Sequence, residues 1–187
     1  MRPQGPGALS EEQLMHVLES RRLRKLSRFA LIGQRVHDEG FGSVIEQGAR
    51  TLPALESLVV ERDEITAKGV RALVASKWSV RFVELSLAHN ELRGDGAEAL
   101  TESRSPGQLV RLSLGGNLLG NGGAVVIAQA PRFRTLRTLS LPKNRIGAPG
   151  LDALLASEHL RQLTSLELSG NPIGSAGRER LRARFAD

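Results

Sequence analysis

A repeat of about 27 residues constrains this chain more than any other feature, because a short unit cannot bury its own apolar face and must stack on copies of itself. The clearest copy runs from Leu109 to Ile127 and reads LVRLSLGGNLLGNGGAVVI. Successive copies begin 29 residues and then four times 27 residues apart. The six units begin at Leu26, Leu55, Phe82, Leu109, Leu136 and Leu163.

Seven positions recur in each unit: five apolar residues, one polar residue and one glycine. In the fourth unit they are Leu109, Leu112, Leu114, Asn117, Leu119, Gly123 and Ile127. All five apolar positions are apolar in all six units. The polar position is Asn90, Asn117, Asn144 and Asn171 in the last four units but Gln34 and Asp63 in the first two, where we expect a looser turn.

The segment L-x-L predicts a short strand, since alternate residues of a strand face opposite sides. Leu112 and Leu114 should point inward, and Arg111, Ser113 and Gly115 outward. Side-by-side stacking then gives a parallel sheet over one continuous core. At the turn, the asparagine amide can pair with buried backbone groups. The glycine should let helix and strand approach closely at the start of a helix.

The pattern L-x-x-L-x-L-x-x-N-x-L resembles the leucine-rich repeat family, and the glycine followed four residues later by an apolar residue resembles its ribonuclease-inhibitor and RanGAP type. The resemblance covers roughly residues 26–185. It implies an α/β solenoid in a horseshoe arc, with a parallel β-sheet on the concave face and α-helices on the convex face. It also implies a non-catalytic module for protein-protein interaction.

The predicted organisation is a flexible tail at 1–9, an N-terminal capping helix at 10–25 and a repeat domain at 26–187. The tail is rich in Pro and Gly. Ser10 to Gln13 matches a capping box, and the helix should run to about Arg22. Its packed side should carry Leu14, Val17 and Leu18.

Later helices follow from the same periodicity. Helical spacing is clear from Thr66 and again from Gly150, whereas 103–108, reading SRSPGQ, predicts a loop and a short helix in the third unit. The final helix, Gly177 to Phe185, should act as the C-terminal cap with Leu181 and Phe185 inward and the arginines mostly outward.

The chain is basic, with a formal net charge of +6. Two clusters stand near the ends: Arg21, Arg22, Arg24, Lys25 and Arg28, and then Arg178, Arg180, Arg182 and Arg184. Arginine-rich ends could bind nucleic acid or an acidic partner. Against nucleic acid, the chain has only five Phe and one Trp, without Tyr, to stack on bases.

Catalysis finds little support. The four histidines, His16, His37, His89 and His159, are scattered. No residue set has metal-ligand or triad spacing, and the glycine-rich stretch after Leu114 lacks the Lys-Ser/Thr of a phosphate loop. We therefore expect no enzyme activity, no cofactor and no metal. The lack of cysteine and of a long apolar run predicts a cytoplasmic protein without membrane insertion.

The outward side of the strands remains as the predicted binding face for a protein partner of unknown identity. The predicted contact residues are Glu61, Glu84, Ser86, Arg111, Ser113, Thr138, Ser140, Ser165 and Glu167. Small polar residues dominate this set, which predicts a modest, polar contact. The RanGAP resemblance implies an alternative, regulation of a small GTPase, for which Arg62 and Lys143 occupy the strand-to-turn edge.

Overall fold

The computed structural model describes residues 9–102 and 107–185, in which strands and helices alternate along the chain. The strands are β1 (Arg28–Ile32), β2 (Ser57–Glu61), β3 (Glu84–Ser86), β4 (Arg111–Ser113), β5 (Thr138–Ser140) and β6 (Ser165–Glu167). The α-helices are α1 (Glu11–Leu18), α2 (His37–Thr51), α3 (Ala67–Ala75), α4 (Arg93–Thr101), α5 (Gly120–Gln129), α6 (Ala148–Ala156) and α7 (Gly174–Phe185). Short 3-10 helices cover Arg21–Lys25, Ser79–Arg81 and Pro131–Phe133.

The strands form one parallel sheet in the order β1-β2-β3-β4-β5-β6. Their register follows the repeat: Arg28 pairs with Ser57, 29 residues on, and Glu84 pairs with Arg111, 27 residues on. Each of α1 to α6 packs against the next helix. Because packed helices are spaced 8–10 Å apart and paired strands about 4.8 Å, such a stack curves with the sheet inside. The predicted α/β solenoid, with a parallel sheet on one side and helices on the other, is confirmed.

One hydrophobic core runs through the stack from Leu14 to Ile173. All but four of the recurring apolar positions are buried. The four exceptions are half-buried against the core: Leu26, Phe29 and Val36 in the first unit and Leu181 in the last. Only the end units lack a repeat on one side, so the incomplete burial lies where stacking stops.

The asparagines form a ladder of side-chain hydrogen bonds between units. The Oδ1 atom of Asn117 accepts from the backbone N–H of Asn90 at 3.1 Å and of Leu92 at 3.4 Å. Its Nδ2 donates to the carbonyls of Leu87 at 2.8 Å and Leu114 at 3.0 Å. Asn90, Asn144 and Asn171 repeat this pattern. Each asparagine thus supports its own turn and the turn before it.

The first two units depart from the ladder in different ways. Gln34 accepts from the backbone N–H of Leu9 at 2.9 Å, so it ties down the segment before α1. Asp63 is fully buried, and neither carboxylate oxygen makes a hydrogen bond of good geometry within the described residues. Burial raises the pKa of Asp63, and the nearby backbone N–H groups of Val36 and Gln34 oppose that shift only in part.

The turns of these two units nevertheless keep the positive φ angle that the others have before the polar position. The residue before the polar position has a positive φ in every unit, whether it is Gly33, Arg62 or His89. Gly33 donates to the carbonyl of Glu61 at 2.8 Å, as Gly116 does to Pro142 at 2.8 Å. In the second unit the equivalent bond, from Arg62 to the carbonyl of Ala88, is 3.3 Å long. The expected looser turn is therefore absent from the first unit but present in the second, and both units lack the amide ladder.

The glycine position lies in the first turn of each helix α2 to α7, but the expected reason for it is incomplete. A Cβ at Gly96 would lie 2.5 Å from the Cβ of Leu92, four residues earlier. At Gly123 it would lie 2.9 Å from Leu119 Cβ and 3.4 Å from Ala97 of the preceding helix. The glycine makes room for the apolar residue of its own turn and for the neighbouring helix, rather than for a strand backbone.

Two helices receive their N-terminal hydrogen bonds from the previous unit. Asp38 accepts from the backbone N–H groups of Thr66 and Gly69, both at 2.9 Å. Asn121 accepts in the same way from Gly147 at 2.8 Å and Gly150 at 3.2 Å. Free N–H groups at helix starts need such acceptors.

At the N-terminus, the capping box is confirmed: Ser10 and Gln13 exchange side-chain and backbone hydrogen bonds. The helix, however, ends at Leu18 rather than near Arg22, and a 3-10 helix follows from Arg21 after the extended residue Ser20. Val17 is 43% exposed, so its assignment to the packed side is wrong. Residues 1–8 of the predicted tail lie outside the described residues.

Two further expectations are corrected toward the other end. Helix α4 has nine residues, like α3 and α6, so the third unit's helix is not short. Residues 103–106 of the predicted loop lie outside the described residues. Helix α7 begins at Gly174, three residues before Gly177, with its arginines exposed as expected.

In the turn of the sixth unit, two backbone N–H groups find their acceptors within the same unit. The backbone N–H of Asn171 donates to the carbonyl of Leu168 at 3.2 Å, and that of Ile173 donates to the carbonyl of Asn171 at 2.9 Å. In the third to fifth units the corresponding N–H groups donate to the asparagine of the next unit.

Candidate partner-binding face

The predicted contact residues lie on the side of the sheet opposite the core, which we call the concave face. Parallel pairing lines up one row through Glu84, Arg111, Thr138 and Ser165 and a second through Ser86, Ser113, Ser140 and Glu167. Glu61 ends β2 beside these rows. The repeat register thus brings all nine residues onto one continuous surface, as their spacing indicated.

The three carboxylates of this face are held by serine hydroxyls from neighbouring strands. Ser57 donates to Glu84 at 2.9 Å, and Ser86 donates to Glu61. Ser140 donates to Glu167 at 2.7 Å. These bonds fix the carboxylates before any partner arrives, which reduces the side-chain entropy lost on binding.

The predicted residues differ in how much surface they present. Ser86 is buried beneath its bond to Glu61, so it contributes to the floor and little to a contact. Arg111, Ser165 and Glu167 are exposed, and the remaining five are half-buried. Within the described residues, the hydroxyls of Ser113, Thr138 and Ser165 have no intramolecular hydrogen bond and can bond to a partner. They are spread over β4, β5 and β6.

The ion pairs on this face are long and exposed. Glu84 lies 3.7 Å from Arg111 and 3.9 Å from Arg28, and both arginine side chains are more than half exposed. Pairs of this kind contribute little to stability, about 0–1 kcal/mol. The arginines therefore stay available to a partner.

Sequence reasoning missed Arg137 and Arg134, which lie where β5 begins. Arg137 directly precedes Thr138, and both residues are hydrogen-bonded to the carbonyl of Val110 in the adjacent unit, at 2.9 and 3.0 Å. Arg137 is exposed, and so is Arg134. The missed signal was the second position of the L-x-x-L segment, which precedes each strand and borders the same face.

The strand-to-turn edge carries the residues considered for a GTPase regulator. Arg62 and Lys143 are exposed there, each with a positive φ. His89 occupies the same position in the third unit, and its ring lies across Gly116, where a Cβ would meet Nδ1 at 2.6 Å. The Lys143 stem lies across Gly170 in the same way. These side chains lean over the next unit and stand apart from one another.

The two basic ends lie at opposite ends of the stack. Residues Arg21–Lys25 form the 3-10 helix beside β1, whereas the four arginines of α7 lie beyond β6. Arg180 is paired with Asp152 of α6. The structure does not join the two clusters into one surface.

Within the described residues, no group of three or more His, Cys, Asp and Glu side chains is arranged to hold a metal ion. Among the helices described, none combines the length and apolar character needed to cross a membrane.

Comparison with known proteins agrees with the fold. A family model described as "Leucine Rich repeat" matches residues 82–100, 134–155 and 159–181, which lie mainly in the third, fifth and sixth repeat units. A search of the curated proteins found no match. Leucine-rich repeats generally mediate protein-protein interaction and are typically non-enzymatic. The three matches agree with the six-stranded solenoid and its asparagine ladder.

Proposed function

We propose that this chain is a non-catalytic protein-interaction module or scaffold that binds a protein partner on the concave face. The observation that carries the proposal is the continuous outward surface of β2 to β6, where fixed carboxylates alternate with free hydroxyls and exposed arginines. The family's general role in protein-protein interaction supports it.

The side chains of this face fit a particular kind of contact. Its central rows are small, with Ser86, Ser113 and Ser140 side by side and Ala88 and Gly115 beyond them. A partner's protruding loop or strand can therefore approach the sheet closely. The larger charged residues stand on either side and supply orientation more than affinity.

The experiment is a capture assay with two tryptophan variants of the same unit. Ser113→Trp fills the middle of the concave face, whereas Gln129→Trp adds the same bulk to the exposed side of α5. Proteins retained from nuclease-treated lysate by the unmodified chain are identified, and the recovery of each is compared between variants. We expect Ser113→Trp to reduce recovery about tenfold, because a central obstruction excludes the partner's core contacts.

The control should bind like the unmodified chain. Equal recovery by both variants would contradict a concave binding face, and loss with Gln129→Trp alone would move the interface to the helices. Thermal melting of both variants checks that each is folded.

The same assay tests the alternatives. The ribonuclease-inhibitor and RanGAP type, a role in GTPase regulation through Arg62 and Lys143, and nucleic-acid binding through the arginine-rich ends remain predictions. Accelerated GTP turnover by a captured GTPase would favour the second of these. Proteins captured from a parallel untreated lysate but not from the nuclease-treated one would favour the third. The cytoplasmic location also remains a proposal, supported by the absence of cysteine.

A further inference from the structure

Three exposed arginines begin or precede β4 and β5, and we call Arg111, Arg134 and Arg137 the arginine cluster. Arg111 pairs with Thr138, the residue directly after Arg137, so the first and last of the three are on adjacent strands. Adjacent strands are about 4.8 Å apart. Arg134 lies three residues before Arg137, directly after the 3-10 helix Pro131–Phe133, and all three residues are exposed.

The cluster is not neutralised from within the described part of the chain. Arg134 and Arg137 make no ion pair there, and Arg111 reaches only Glu84, at 3.7 Å. Glu84 already accepts from Ser57 and lies 3.9 Å from Arg28. Arginine side chains on adjacent strands repel one another, whereas each guanidinium group is well suited to bind a carboxylate through two parallel N–H donors.

The charges of the concave face are separated along the solenoid axis. Arg28 belongs to the first unit, the glutamates Glu56, Glu61 and Glu84 to the second and third, Arg111 and Arg137 to the fourth and fifth, and Glu167 to the sixth, so acidic units lie on both sides of the cluster. A long polyanion laid along the sheet would meet repulsion within two strands of the cluster. A protein segment with a few acidic residues would not, because its charged stretch can be as short as the cluster.

Base stacking gives no support to a nucleic acid either. Among the described aromatic residues, Trp78, Phe41, Phe82 and Phe133 are fully buried. Phe29 and Phe185 are half-buried against the core. A single strand needs aromatic surfaces as well as positive charge for tight binding. The cluster lacks such a surface, but the free hydroxyls of Thr138 and Ser165 lie in the same row as Arg111.

We propose that the arginine cluster binds an acidic segment of the protein partner, with carboxylates on Arg111 and Arg137 and a further one on Arg134. This rests on the proposed function and specifies its chemistry. The acidic side of the partner lies over the fourth and fifth units, and its neutral or basic side lies over the glutamates of the second and third.

The test uses three fluorescent probes and fluorescence anisotropy: a peptide of glutamate and glycine, a matched peptide of lysine and glycine, and an oligothymidylate with the net charge of the first. The cluster variant is Arg134→Glu with Arg137→Glu. The matched control is Arg178→Glu with Arg182→Glu, which makes the same charge change on α7, where neither arginine has an ion pair among the described residues.

We expect the glutamate peptide to bind the unmodified chain and to bind the cluster variant about tenfold more weakly, with less than about a twofold change in the control. The lysine peptide should not bind. Equal weakening in both variants would show that binding depends on the net charge of the chain and not on the cluster, and it would overturn the proposal. So would tighter binding of the oligothymidylate with the same dependence on the cluster, or no binding of the glutamate peptide.

Failure of this inference can be separated from failure of the proposed function. If the glutamate peptide does not bind while Ser113→Trp still abolishes capture, the face is correct and the acidic segment is wrong. If the peptide binds through the cluster while Ser113→Trp has no effect on capture, the cluster binds acidic segments but the concave face is not where the captured partner binds. Should the cluster variant melt early, Arg134→Gln with Arg137→Gln removes the charges without adding new ones, and a smaller loss of binding is still expected.

Discussion

The first two units and the last four build the same turn with different support. In the third to sixth units, an asparagine bonds to both its own turn and the previous one. In the first, Gln34 turns to the segment before α1, and in the second, the Asp63 carboxylate is buried without a hydrogen bond of good geometry in the described part of the chain. The equivalent backbone hydrogen bond between turns is 2.8 Å long in the first unit and 3.3 Å in the second, against 2.6–2.8 Å in the third to fifth.

Comparison of the two regions separates the contribution of the backbone turn from that of the amide ladder, which occur together in the last four units. The backbone turn is set by stacking and by the residue with positive φ, so it survives without the asparagine. The amide ladder is an additional contribution that satisfies buried N–H and carbonyl groups. The first two units should therefore be the weaker part of the solenoid.

The largest effect should come from the core of a central unit. Leu114 is fully buried between neighbours on both sides, whereas Leu26 of the first unit is half-buried. Leu114→Ala should lower the free energy of unfolding by about 2–5 kcal/mol. Leu26→Ala should lower it by about 1 kcal/mol because less area leaves water. Denaturant unfolding measures both.

Ser113→Ala, on the outward side of the same strand, should change stability very little. Equal losses for Leu114→Ala and Leu26→Ala would show that the first unit is as tightly packed as the fourth and would break the comparison. A large loss for Ser113→Ala would contradict the assignment of the two faces.

The next effect isolates the ladder. Asn117→Ala leaves the N–H groups of Asn90 and Leu92 without their acceptor in a buried site. Each such group costs about 1–3 kcal/mol, and because the Leu92 bond is long, at 3.4 Å, its share should be small and a total of about 2–4 kcal/mol is expected. Gln34→Ala, at the equivalent position, should cost under about 1 kcal/mol because water can replace its exposed bond to Leu9. Chemical denaturation of the two variants compares them directly, and similar losses would refute a special role for the ladder.

The smallest effect is expected from Asp63→Asn, which places an asparagine where the second unit lacks one. Because burial raises the pKa of Asp63 above its ordinary value of 3.8, the folded state binds a proton more readily than the unfolded state. The contribution of this group is thus most favourable below pH 3.8 and is lost as the pH rises through the folded-state pKa. Asp63→Asn removes the charge and adds N–H donors, so it should stabilise the protein by about 1–2 kcal/mol near neutral pH.

The pH dependence provides the control for this variant. The advantage of Asp63→Asn over the unmodified chain should shrink as the solution is acidified toward the ordinary carboxyl pKa. Thermal unfolding across an acidic to neutral series measures the difference. A constant advantage at every pH would show that the charge of Asp63 has no part in it, and a destabilised variant would show that the carboxylate is well accommodated.

Much of the fold follows from local pattern, and the reasons are visible in particular residues. The strand register, the buried leucines and the inward turn amides follow because one spacing repeats in every unit. The capping box at Ser10 follows because its partners are three residues apart. Side-chain contacts between neighbouring units leave no such trace: Asp38 and Asn121 cap helices whose N-cap residues, Thr66 and Gly147, lie 28 and 26 residues later.

The binding face was predictable in outline and less so in detail. Alternation placed Ser113 and Arg111 outward, but it could not show that Ser86 is buried under a bond to Glu61, since that contact spans adjacent strands. It also missed Arg137, because the strand pattern begins only after it. The end of α1 at Leu18 depends on the extended backbone at Ser20, for which the apolar spacing gives no signal.

The self-closed turn of the sixth unit makes the support between units directional. The backbone N–H groups of Asn144 and Ile146 donate to the side chain of Asn171 in the next unit. The N–H group of Asn171 itself donates to a carbonyl of its own unit. Shortening the array from this side would therefore expose the fifth unit's amides and not merely remove a sixth. The sixth turn therefore stabilises the fifth, although it has a neighbouring unit on one side alone.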